Sequence, residues 1–185
     1  MSKRKTVIYF LIKFFATYFV LFGLYSYYLS VSQVKEPVFE CSPITLTVAN
    51  HTEKVLHFLG YHVATENHPN ELSVKLLVSG NYTARVIEGC NSISIIILFI
   101  AFIVAFPGKL KATLLFAITG SVIIYIVNVL RIGFLTMILY KFPDEKGFYH
   151  NLLFPLIIYG LVFSLWVAWV NLFSNYKTIK DKRNG

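Results

Sequence analysis

Cys90, Arg131 and His150 are the residues of this chain best suited to covalent chemistry. A thiolate is a good nucleophile, and a nearby imidazolium or guanidinium favours it. A histidine can take the thiol proton and return it to a leaving amine. Attack on a peptide carbonyl builds negative charge on oxygen, which a fixed arginine in a low-dielectric pocket stabilises strongly. The three lie far apart in the chain, in "EGCNSISIIILF", "YIVNVLRIGFL" and "FYHNLLFPL". The elements that carry them must therefore bring them together.

Those elements are apolar. Of 185 residues, 56% are hydrophobic and only 14% charged, where a soluble domain carries about 25% charge. The shortfall points to an all-α polytopic membrane protein forming one domain over residues 1–185. Four spans are expected, at about 7–29, 91–106, 110–131 continuing to 140, and 152–173. The first run lacks an A-x-A cleavage site and is expected to stay as an uncleaved span. Lys13 lies near its end and can snorkel. Trp166 and Trp169 are expected as interface anchors of the last span.

The net charge of +8 does not call for nucleic acid, because the basic residues gather at the termini and in one turn. Lys3, Arg4 and Lys5 precede span one; Lys109 and Lys111 separate spans two and three; Lys177, Lys180, Lys182 and Arg183 follow span four. With four spans all three clusters fall on one side, which the positive-inside rule makes cytoplasmic. Both termini are then cytoplasmic, and segments 30–90 and 141–150 lie outside.

Segment 30–90 is expected to fold as a small helix and hairpin insertion. Val48, Val55, Leu56 and Leu59 have helical spacing, suited to packing on the membrane or on the spans. "ELSVKLLVSGNYTARVIEG" reads as two strands about a Ser79-Gly80-Asn81 turn, leading directly to Cys90.

Depth arithmetic connects the three reactive residues. Cys90 precedes Lys109 by 19 residues, Arg131 follows Lys111 by 20, and His150 precedes Asn171 by 21. At about 1.5 Å per helical residue each stands roughly 28–31 Å from the cytoplasmic turn, at the far side of a hydrocarbon core about 30 Å thick. Around them, Asn128 shares a helix face with Arg131, and Glu88 and Asn91 flank the thiol.

Other readings compete. Cys41 and Cys90 both face an oxidising compartment, and a structural Cys41–Cys90 disulfide would make the chain a non-catalytic membrane accessory protein. His51, His57, His62 and His68, with Glu53 and Glu66, could supply metal ligands, but their spacings match no standard zinc motif. No metal or other cofactor is expected.

The blocks "EGCNSISIIILFIAFIVAFPGKLK", "YIVNVLRIGFL" and "FYHNLLFPLIIYGLVFSLWVAWVN", in this order, resemble the core of the exosortase/archaeosortase family, and within it the short type-F exosortases of Bacteroidetes-type bacteria. The resemblance implies a multi-pass cysteine transpeptidase or protease. Its substrates would be exported proteins bearing a C-terminal sorting signal, made of a short motif, a hydrophobic helix and a basic cluster. The family's cysteine, arginine and histidine match Cys90, Arg131 and His150. Longer relatives have about eight spans and this chain about four. Recognition is then reduced, or shared with a partner in the lipid bilayer.

Overall fold

The computed structural model describes residues 3–35, 39–106, 108–142 and 154–173. The chain is mostly helical. It runs α1 (Lys3–Ser32), α2 (Pro43–Phe58), β1 (Val63–Asn67), β2 (Ser73–Val78), β3 (Asn81–Ile87), a 3-10 turn (Glu88–Cys90), α3 (Ile93–Ala105), α4 (Leu110–Lys141) and α5 (Phe154–Ala168), which ends in a π turn, Trp169–Phe173. Two compact units form. One comprises residues 1–25, 93–124 and 159–185, the other residues 26–92 and 125–158.

Three helical stretches, Arg4–Ser32, Leu110–Lys141 and Pro155–Leu172, are long and apolar enough to cross a membrane. The expected second span, 91–106, begins two residues later and ends one residue earlier than those bounds. It forms only as α3, 13 residues or about 20 Å long, against about 30 Å of hydrocarbon. The helix starts late because Glu88–Cys90 is wound as a 3-10 turn and Ser92 takes a left-handed φ of 67°. A non-glycine residue held there costs about 1–2 kcal/mol and cannot propagate a right-handed helix.

In the first unit, Phe99 and Ile103 of α3, Ile124 of α4, and Val162 and Trp169 of the last helix form a buried apolar cluster. Phe10 of α1 meets Phe102 and Phe106 at ring-centroid distances of 5.9 and 4.7 Å. Trp166, partly buried, stacks on Phe102 at 4.3 Å, and Trp169 is fully buried, so both tryptophans contribute to packing. Gly120 of α4 lies against Phe99, and a Cβ at this position would overlap the ring. Small residues let apolar helices approach in this way. Phe99 is fully buried and has little room to yield. We therefore expect Gly120→Ala to cost about 1–3 kcal/mol, the usual range for overpacking, as a lower melting temperature of the detergent-solubilised protein. An unchanged melting temperature would mean that the two helices separate easily.

The second unit is built on α2. Its buried face, Thr45, Val48, Ala49, Thr52 and Leu56, follows the helical repeat. The sheet supplies Val74, Leu76 and Val78, alternate residues of β2, together with Val86, and α4 supplies Val129 and Ile132. The sheet is antiparallel in the order β1-β2-β3. The turn between β2 and β3 holds Ser79 at φ 52° and Gly80 at φ 82°, the positive pair that a tight hairpin with right-handed strand twist demands. The expected hairpin thus gains a third strand. Val-Ala-Thr-Glu-Asn of β1 buries only Val63, so its sequence carries little alternation. It is a strand because β2 supplies a free edge.

Candidate active site

The residues around Cys90 all belong to the second unit. Their foundation is the start of α2. Ser42 is its N-cap and Pro43 occupies the first turn, where a missing N–H costs nothing. Ser42 Oγ accepts the Thr45 N–H at 3.4 Å. Glu88, 46 residues away in sequence, completes the cap: its Oε1 accepts the Ser42 backbone N–H at 2.7 Å. Its Oε2 accepts the hydroxyls of Ser42 at 2.8 Å and Thr45 at 2.5 Å, and the Asn91 amide at 3.5 Å. Asn91 Nδ2 also donates to Thr45 Oγ1 at 3.0 Å. This is a capping box closed across tertiary space. The carboxylate also sits favourably at the positive end of the helix dipole.

Glu88 and Cys90 occupy the two ends of one 3-10 turn, so the cap also immobilises the backbone that carries the thiol. We expect Glu88→Gln to destabilise the protein nearly as much as Glu88→Ala, by about 2–4 kcal/mol. The Ser42 N–H and the Asn91 amide nitrogen can only donate, one to each carboxylate oxygen, so either orientation of a glutamine amide sets its NH2 against a donor. Thermal unfolding in detergent checks this. A Glu88→Gln protein as stable as wild type would show that the carboxylate charge is dispensable.

Asn128 of α4 fixes the other side of the turn. It is 1% exposed, and its Nδ2 donates to the backbone carbonyl of Cys90 at 2.8 Å. Its Oδ1 is buried and has no hydrogen-bond partner among the described residues. Cys90 is half-buried and a free thiol. Arg131, three residues after Asn128 on α4, is half-buried. Among the described residues it makes no ion pair and no side-chain hydrogen bond. His150 lies outside the described residues. Of the six residues singled out by sequence, Cys90, Glu88, Asn91 and Asn128 are linked by this network, and Arg131 lies one helical turn from it.

The second thiol differs. Cys41 is also free, so the Cys41–Cys90 pairing considered from sequence is not formed. Cys41 is buried, and burial first, then the carboxylates of Glu88 and Glu71, push its pKa up to about 12. It is thus almost entirely protonated at neutral pH. Because the folded pKa lies above the ordinary 9.0, its contribution to stability is complete below pH 9 and fades as pH rises toward 12. At pH 8 a maleimide should modify Cys90 in the folded protein and leave Cys41 untouched until the protein is denatured. Mass spectrometry distinguishes the two sites, and equal labelling of both would contradict the buried, neutral state of Cys41.

Sequence reasoning overlooked Ser42 and Thr45. The Ser-Pro pair before an apolar helical repeat signals a helix start, but nothing local shows that Glu88 would join it. It also left His51 among dispersed histidines. His51 Nδ1 shares a 2.7 Å hydrogen bond with the Tyr125 hydroxyl. No group of three potential metal ligands occurs among the described residues.

Apolar helices of membrane-spanning length and a helix–sheet unit presenting a held thiol define a polytopic membrane protein with a candidate cysteine centre. Comparison with protein families makes the class specific. The family described as Transmembrane exosortase matches residues 7–174, and the chain belongs to that family. No curated protein and no solved structure matches the chain significantly.

Proposed function

We propose that this exosortase is a membrane-embedded cysteine peptidase or transpeptidase that processes the C-terminal sorting signals of exported proteins. The observation that carries the reading is the contrast between the two thiols. Cys41 is buried and held neutral. Cys90 is half-buried, on a turn held by Glu88 on one side and Asn128 on the other. In this reading Cys90 Sγ attacks the scissile carbonyl, His150 transfers the thiol proton to the leaving amine, and Arg131 stabilises the oxyanion. Glu88, Asn91 and Asn128 are positioning residues. The acyl-enzyme then passes its acyl group to water or to an amine.

The membrane arrangement belongs to the same proposal. The chain is a single exosortase domain of the type-F kind, crossing the inner membrane four times. Its basic clusters and both termini are cytoplasmic, and its thiol faces the periplasm. With Lys111 at the cytoplasmic surface, Arg131 reaches the outer surface about 30 Å away along a span that continues to residue 140. Recognition of the substrate is reduced, or is shared with a second membrane protein.

The test is deletion of the gene in the source cell, with mass spectrometry of exported proteins. Substrates should retain their C-terminal segment, and wild type but not Cys90→Ser should restore cleavage. Normal processing in the deletion strain would overturn the reading.

A further inference from the structure

The unpartnered oxygen of Asn128 has a defined direction. An asparagine amide offers two donors on nitrogen and two acceptor sites on oxygen. The partner here is the Cys90 carbonyl, 2.8 Å away, which can only accept. The nitrogen must therefore face Cys90, and a flipped amide would set two oxygens against each other. Oδ1 is left on the other arm of the same planar group, in a residue 1% exposed, with no partner among the described residues. A buried acceptor without a donor costs about 1–3 kcal/mol, and such groups are rare in folded proteins. No turn or cap of α4 requires an asparagine here: Asn128 lies well inside the helix.

We propose that Asn128 Oδ1 is a binding point for an amide N–H of the peptide substrate, placing the neighbouring acyl carbon beside Cys90 Sγ. This deepens the reading of Cys90 as nucleophile and rests on it. The chemistry missing from the site is a donor. A peptide supplies one on every residue except proline, and an ester supplies none. One side chain then serves two partners. Its nitrogen fixes the backbone of the nucleophile, and its oxygen fixes the electrophile. Holding both reactants on one planar group reduces the loss of freedom on reaching the transition state.

The test uses small thiol-directed amides on the intact, detergent-solubilised chain. Iodoacetamide carries amide N–H groups, and N,N-dimethyl-iodoacetamide carries none. Alkylation of Cys90 by each is followed by mass spectrometry, and the ratio of rates is divided by the ratio measured with glutathione. A single hydrogen bond should raise this corrected ratio about threefold to tenfold in the wild type. Asn128→Ala should bring it to about one, whatever happens to the absolute rates when the Cys90 carbonyl loses its donor. A wild-type ratio of one overturns the proposal without any variant having to fold. A raised ratio that persists in Asn128→Ala overturns it too, because the N–H is then read elsewhere. The outcome is separate from the catalytic reading. If processing survives Cys90→Ser, that reading fails, whereas the alkylation ratio still reports whether Asn128 accepts an amide.

Discussion

Cys90→Ser should leave the protein inserted and abundant, and should stop the processing of its substrates. A hydroxyl is nearly the size of a thiol, and the contacts that hold the turn do not involve sulfur. Glu88 binds the start of α2 through its own carboxylate, and Asn128 binds the backbone carbonyl of Cys90. Both survive the substitution. What changes is nucleophilicity, since the serine hydroxyl ionises at a pH that these neighbours cannot bring into range. A loss of roughly a thousandfold or more is expected, as for the removal of other covalent nucleophiles. Cys41→Ser should behave in the opposite way. It introduces a hydroxyl into a buried apolar cluster, at a stability cost of about 1–3 kcal/mol, and leaves turnover per folded molecule near wild type. Immunoblots of membrane fractions, run beside a processing assay, separate the two quantities. Equal loss of abundance in both variants, with activity per molecule retained by Cys90→Ser, would remove Cys90 from the chemistry.

Arg131→Lys should fail almost as badly as Arg131→Ala, by roughly a hundredfold or more, the loss typical of removing one oxyanion donor. Lysine keeps the charge but not the planar fork that meets an oxyanion or a carboxylate on two sides. The structure makes the test a clean one. Arg131 is half-buried and, among the described residues, forms no ion pair and no side-chain hydrogen bond. Truncating it breaks no such contact, so stability should hold while activity falls. His150→Ala should lose about a hundredfold or more as the proton-transfer residue. Unlike Arg131→Lys, it should also change the pH dependence of cleavage. Activity of Arg131→Lys near the wild-type level would reduce Arg131 to a charge at the end of an apolar stretch.

The membrane character of the chain was legible in its sequence. Runs of apolar residues interrupted by few charges specify α1, α4 and α5, because an unpaired backbone in hydrocarbon leaves a helix as the local solution. The family was legible too, through three short blocks in order, and the residue-7-to-174 match agrees with it. The turn at Ser79 and Gly80 followed from a local rule, that positive φ in a hairpin favours short or flexible residues. Tertiary structure decided what no local rule reaches. Nothing in Val63–Asn67 requires a strand, and pairing with β2 makes it one. The start of α3 at Ile93 is set by a left-handed Ser92 that the apolar pattern does not announce. The two cysteines look alike in sequence, yet burial and two carboxylates hold Cys41 neutral. Sequence spacing put Asn128 and Arg131 on one face of a helix. Only the fold turned the Asn128 nitrogen onto the carbonyl of Cys90 and left its oxygen unmatched. Periodicity is a property of neighbours in the chain, whereas a hydrogen bond between residues 38 apart depends on packing the whole unit at once.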